Sequence, residues 1–139
     1  MERYILDIIT LNKFDSVFNR YGVEFAVVYG SVYRGEDSEG SDIDIAVYLE
    51  GNTDTKEYMD RYISLIDTLN DTSDREVDIT DMKTCRKSFA GRIARNCRVI
   101  YDPNNTADDK LDEYKSVYPD SKDLNEKTDE LRDRVNSEI

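Results

Sequence analysis

From Arg3 to Arg20 apolar residues recur at helical spacing, at Ile5, Ile8, Ile9, Phe14, Val17 and Phe18. Gly22 follows, where a left-handed residue commonly closes a helix. The run Glu24-Phe-Ala-Val-Val-Tyr-Gly30 predicts a short buried strand stopping at glycine, and 34–41 (RGEDSEGS) predicts a loop. From Asp42 to Leu49 the pattern alternates: Ile43, Ile45 and Val47 point one way, Asp42, Asp44, Ala46 and Tyr48 the other. A second helix carries Tyr58, Tyr62, Leu65, Ile66 and Leu69, with Asp54 and Glu57 placed as a capping pair. Arg75 to Asp81 alternates again as a third strand, a helix runs from about Thr84 to Arg95, and 98–101 is a last short strand.

Helix, strand, strand, helix, strand, helix, strand is the order of an α/β (α+β) domain, a small mixed sheet flanked by helices. Asp102-Pro103 marks a boundary, giving a domain over 1–102 and an acidic extension over 103–139. In that extension the spacing of Leu124, Leu131 and Val135 predicts a helix with a narrow apolar stripe.

Composition narrows the chemistry. The 139 residues contain no histidine, which removes serine–histidine and cysteine–histidine catalysis and leaves carboxylates as candidates for metal ligation or proton transfer. Cys85 and Cys97 form neither a disulfide framework nor a metal-ligand spacing, as expected of reduced cytoplasmic thiols. A net charge of −12 argues against gripping long nucleic acid through a basic face. The first residues lack the basic and apolar regions of a signal peptide, and no stretch is long enough to span a bilayer, so the expected location is cytoplasmic.

Asp42 and Asp44 stand at i and i+2 on a half-buried strand, projecting from one face. Adjacent like charges repel and aspartate is disfavoured in strands, so the pair calls for a cation. Oxygen donors without histidine or cysteine favour magnesium or manganese over zinc. A calcium loop lacks its glycine and glutamate here, and Ala46 stands where an aspartyl phosphatase loop needs Thr or Val. Twelve residues before Asp42, Gly30-Ser31 ends the preceding strand, where a glycine lets backbone amides approach a ligand and a serine donates to phosphate. Arg34, one turn along, offers a fixed positive charge. Asp78 lies between Val77 and Ile79 and so faces away from them, as Asp42 and Asp44 face away from their apolar neighbours. Three carboxylates on one sheet face suggest a two-metal site. Asp81, at the strand exit, has helix capping as its simpler role.

Gly30-Ser31, ten intervening residues and Asp42-Ile-Asp44 form the pattern GSx10DxD, and YGSVYRGEDSEGSDIDIAVYLE resembles the minimal nucleotidyltransferases (MNT) of the DNA polymerase beta superfamily over about residues 1–102. The resemblance implies a polymerase beta-like nucleotidyltransferase fold in which Asp42, Asp44 and Asp78 hold two Mg2+ ions and Asp78 assists deprotonation of the acceptor. It implies that Gly30 and Ser31 hold the β- and γ-phosphates of ATP while AMP passes to a hydroxyl. Many minimal members resemble antitoxins that silence a HEPN-type ribonuclease toxin by adenylylating a tyrosine, and the small size here favours such a protein acceptor. Asn96-Cys97-Arg98 departs from the Glu-Gly pair that often precedes the last strand. Two other readings stay open: a catalytically silent antitoxin acting by contact alone, and a small-molecule nucleotidyltransferase working as a homodimer.

Overall fold

The structure, a computed structural model, describes residues 12–35 and 42–117. Its frame is a four-stranded sheet in the order β3-β2-β1-β4, with β1 at Val23–Tyr29, β2 at Ile43–Leu49, β3 at Val77–Asp81 and β4 at Cys97–Tyr101. β1 runs antiparallel to both β2 and β4, whereas β2 and β3 are parallel. The helices are α1 (Asp15–Arg20), α2 (Gly30–Arg34), α3 (Lys56–Thr72), α4 (Lys87–Arg95) and α5 (Ala107–Val117). This is the expected mixed sheet with flanking helices.

The alternation along β2 divides the core as its pattern predicts. Ile43, Ile45 and Val47 join Ala26 and Val28 of β1 in a layer closed by Phe14, Val17 and Phe18 on one side and by Tyr58, Leu65 and Leu69 of α3 on the other. On the opposite face Ala46 meets Phe25, Val27 and Met82 beneath Ala90, Ile93 and Ala94 of α4 and Ala107 and Leu111 of α5. Both faces of β1 are therefore covered, which is why its sequence is a continuous apolar run rather than an alternating one. α1 closes at Gly22 in the left-handed region, φ 72°, as expected.

Local chemistry moves several boundaries. Thr55, not Asp54, caps α3: it is extended (φ −98°, ψ 150°) and its hydroxyl accepts the Tyr58 N–H at 3.1 Å. The Asp54 N–H instead closes a turn onto Asn52 Oδ1 at 2.9 Å, and Glu57 pairs with Arg61 one turn on at 3.1 Å. β3 begins at Val77, because Ser73 Oγ holds the Arg75 N–H in a turn at 3.0 Å. α4 begins at Lys87 rather than Thr84, since the Asp81 carboxylate and carbonyl take the N–H groups of Lys83, Thr84 and Cys85 in an intervening turn. Asp102 opens a further turn. Its carboxylate accepts the N–H groups of Thr106 and Ala107 at 2.9 and 3.3 Å, and α5 then folds back to bury Ala107 and Leu111. The helix predicted from Leu124, Leu131 and Val135, and the helical spacing at Ile5 to Ile9, lie outside the described residues.

β3 is an edge strand, and α3 blunts its open side. Asn70 Oδ1 accepts the Val77 N–H at 2.8 Å while Asn70 Nδ2 donates to the Val77 carbonyl at 3.2 Å, and the Tyr62 hydroxyl donates to the Ile79 carbonyl at 3.1 Å. An open edge invites pairing with another chain, and these side chains replace a missing strand. Replacing Asn70 with leucine strands two part-buried backbone groups. The expected cost is about 1–3 kcal/mol, read as a lower urea midpoint at unchanged slope.

Candidate active site

Register assembles the site. Asp44 is the Cα partner of Tyr29 on β1 and of Asp78 on β3, so Asp78, Asp44 and Tyr29 form one row across three strands, with neighbouring Cα atoms roughly 5 Å apart. All three point to the face covered by α4, as the parity of Val77 and Ile79 against Asp78 predicts. Asp42 precedes β2 by one residue and is exposed, as is Asp78, while Asp44 is half-buried. Gly30 starts α2 with φ 71°, immediately beside Asp44: a Cβ there would collide with Asp44 Oδ2. For Ser31 the structure describes the backbone, which is the second residue of α2. Arg34 ends the same helix.

The electrostatics of Asp44 summarise the arrangement. Burial is the main reason its carboxyl is pushed above the usual carboxylate range, and the charges of Asp78 and then Asp42 push it further the same way. Arg34 pulls against them. Thus Asp42, Asp44, Asp78 and Arg34 share one field. Among the described residues no three acidic or thiol side chains converge closely enough to cage a metal ion unaided.

Two residues of this face escaped the sequence reading. The Tyr29 hydroxyl and Thr80 Oγ1 lie 2.9 Å apart in a hydrogen bond, beside the carboxylates. Burial raises the Tyr29 phenol, and the charges of Asp44 and Asp78 add to that. Thr80 was legible as the residue two beyond Asp78 on the same face; Tyr29 required the β1–β2 register. Asp81 belongs elsewhere. It is buried on the α3 face, where it accepts the Tyr58 hydroxyl at 2.7 Å and the Lys83 N–H at 2.9 Å, so it organises the turn into α4.

A small mixed sheet that presents carboxylates from neighbouring strands beside a glycine-led turn defines a nucleotidyl-transfer fold. The family described as Polymerase beta, Nucleotidyltransferase matches residues 12–106, and the chain belongs to that family of nucleotidyltransferases. No curated protein matches the chain. Among solved structures it is similar to a toxin–antitoxin crystallised with AMP-PNP, at 19% identity and a TM-score of 0.68, over 90% of this chain and 97% of that one. It is also similar to a chain in the Shewanella oneidensis complex of a tri-AMPylated HEPN toxin with its MNT antitoxin (17% identity, TM-score 0.64, covering 91% and 96%). A third is the toxin–antitoxin MntA-HepT, at 18% identity and a TM-score of 0.63, over 91% and 97%. At such identities the likeness establishes the fold. No helix among the described residues is long and apolar enough to cross a membrane.

Proposed function

We propose that this nucleotidyltransferase moves AMP from ATP to a hydroxyl, a tyrosine on a HEPN-type ribonuclease toxin, and so serves as the antitoxin of the pair. The observation that carries the reading is the Asp44–Asp78 register pair: burial raises the Asp44 carboxyl, and the charges of Asp78 and Asp42 raise it further against the pull of Arg34. Asp42, Asp44 and Asp78 would hold Mg2+, or Mn2+ in its place. Divalent ions held there would supply charge neutralisation at the phosphates and the leaving oxygen. Gly30, Ser31 and Arg34 orient the triphosphate, and Asp78, exposed at the sheet edge, takes the acceptor proton. Phosphoryl chemistry depends mostly on such positioning and charge neutralisation. The solved relatives include one with AMP-PNP and one with an AMPylated HEPN toxin, which favours a protein acceptor. Residues 1–102 would form the catalytic unit of a cytoplasmic protein, with α5 the part of the 103–139 extension that completes its second core layer.

The test mixes the protein with α-labelled ATP, magnesium and a candidate HEPN-type toxin. Label is expected on a toxin tyrosine, with loss of ribonuclease activity. Toxin silenced equally by an Asp78→Asn variant, with no label on either protein, would overturn the enzyme reading in favour of inhibition by contact.

A further inference from the structure

The row Asp78, Asp44, Tyr29 continues to Cys97 on β4, so it crosses the sheet from edge to edge. At its far end, between α2, the end of β1 and α4, lies a cleft of about 420 Å³ lined by Tyr29, Gly30, Arg34, Phe89, Arg92 and Asn96, among others. Its described lining holds two guanidinium groups and no carboxylate. The segment that carries α4 is basic: from 82 to 101 the sequence has Lys83, Arg86, Lys87, Arg92, Arg95 and Arg98 without a single Asp or Glu, in a chain of net charge −12. Arg95 is occupied, donating to the carbonyls of Gly91 and Lys115. Arg92 is exposed, and among the described residues it pairs with no carboxylate.

We infer that Arg92 extends the phosphate contacts of Gly30 and Arg34 in this cleft and binds the terminal phosphate of the pyrophosphate leaving group. The inference rests on the nucleotidyl-transfer reading above and adds a direction to it. In an in-line displacement the attacking and leaving oxygens stand on opposite sides of the α-phosphorus. With the acceptor activated at Asp78 on one edge of the sheet and phosphorus held near Asp44, the leaving oxygen points along the row, past Gly30, toward Arg34 and Arg92. The acceptor oxygen bonds to the α-phosphorus while the bond from phosphorus to the bridging oxygen breaks. That oxygen departs with the electron pair on pyrophosphate, and the acceptor proton passes to Asp78. Two guanidinium groups suit the most highly charged part of the substrate, since each can make paired hydrogen bonds to phosphate oxygens.

Titration of the full chain with magnesium pyrophosphate, by calorimetry, reads the cleft directly, and pyrophosphate inhibition of label transfer reads it in turnover. Arg92→Gln is expected to weaken pyrophosphate binding about tenfold or more and to raise KM for ATP by a similar factor, leaving AMP binding unchanged. Arg92→Lys should recover part of the loss. Lys87→Gln removes an equal charge from the same helix outside the cleft and should shift pyrophosphate binding less than about twofold. Undiminished pyrophosphate binding by Arg92→Gln overturns the inference. So does an equal loss in Lys87→Gln, which would reflect a general field, or an equal loss of AMP binding, which would put the nucleoside end in the cleft. If no acceptor is ever labelled, the transfer reading fails while the titration still decides the cleft.

Discussion

Asp44→Asn and Asp78→Asn are each expected to reduce AMP transfer on the order of a thousandfold or more while leaving the free protein at least as stable as before. The two halves of that expectation have one cause. Asp44 is half-buried, with Asp78 in register beside it and Asp42 two residues away, and in the free chain these charges repel. Removing one carboxylate relieves the repulsion but takes away an oxygen donor that divalent ions and the acceptor proton require. Melting curves and label transfer on the same samples separate the effects. Magnesium with ATP should raise the melting temperature of the unmodified chain through binding linkage, and this rise should vanish in both variants. A variant that melts early and loses activity in proportion would instead mean that the pair is structural.

Burial of Asp44, reinforced by that repulsion, sets a pH dependence. The folded Asp44 carboxyl titrates above its unfolded counterpart, so between the two the folded state holds more protons. Stability of the metal-free protein therefore falls as pH rises from the ordinary carboxylate range through the raised value of Asp44, and the full penalty persists above it. Asp44→Asn should flatten this part of the profile, and saturating magnesium with ATP should flatten it as well.

How much of this was legible depended on the range of the interaction. The faces of β2 were readable because a period of two is local, and Asp78 followed by the same parity argument from Val77 and Ile79. Gly30 was readable as a strand terminus followed by a helical turn. The α3 cap was misplaced by one residue because Asp54 and Thr55 are both good caps, and the choice was made by Asn52, which takes the Asp54 N–H into a turn. β3 and α4 start later than their patterns suggest because side chains of Ser73 and Asp81 hold the preceding N–H groups in turns. Tyr29 and Thr80 come together across 51 residues of sequence, and Arg92 reaches the same end of the sheet only through the packing of α4. α5 offered Ala107, Leu111, Tyr114 and Val117 as its apolar residues, too little to predict a core helix, although Arg95 anchors it through the Lys115 carbonyl and Tyr114 donates to the Met82 carbonyl.

Gly30→Ala should be the most damaging change at a residue that contributes no side chain. At φ 71° an alanine pays about 1–2 kcal/mol of backbone strain. The added carbon also runs into Asp44, whose Cβ and Cγ would lie 3.3 and 3.1 Å away and whose Oδ2 would be closer still. The backbone cannot yield easily, because Tyr29 and Asp44 are paired across β1 and β2. The Asp44 side chain must rotate away instead, and misplacing one reacting group by about an ångström is worth roughly a hundredfold in rate. Gly35 provides the comparison. It has the same φ of 71°, yet among the described residues a Cβ there meets nothing within 4 Å, so Gly35→Ala carries the strain without that collision. Both variants should therefore melt lower by a similar amount, while transfer by the folded protein falls far further in Gly30→Ala. Equal losses of transfer would show that backbone strain near α2, rather than displacement of Asp44, controls the site.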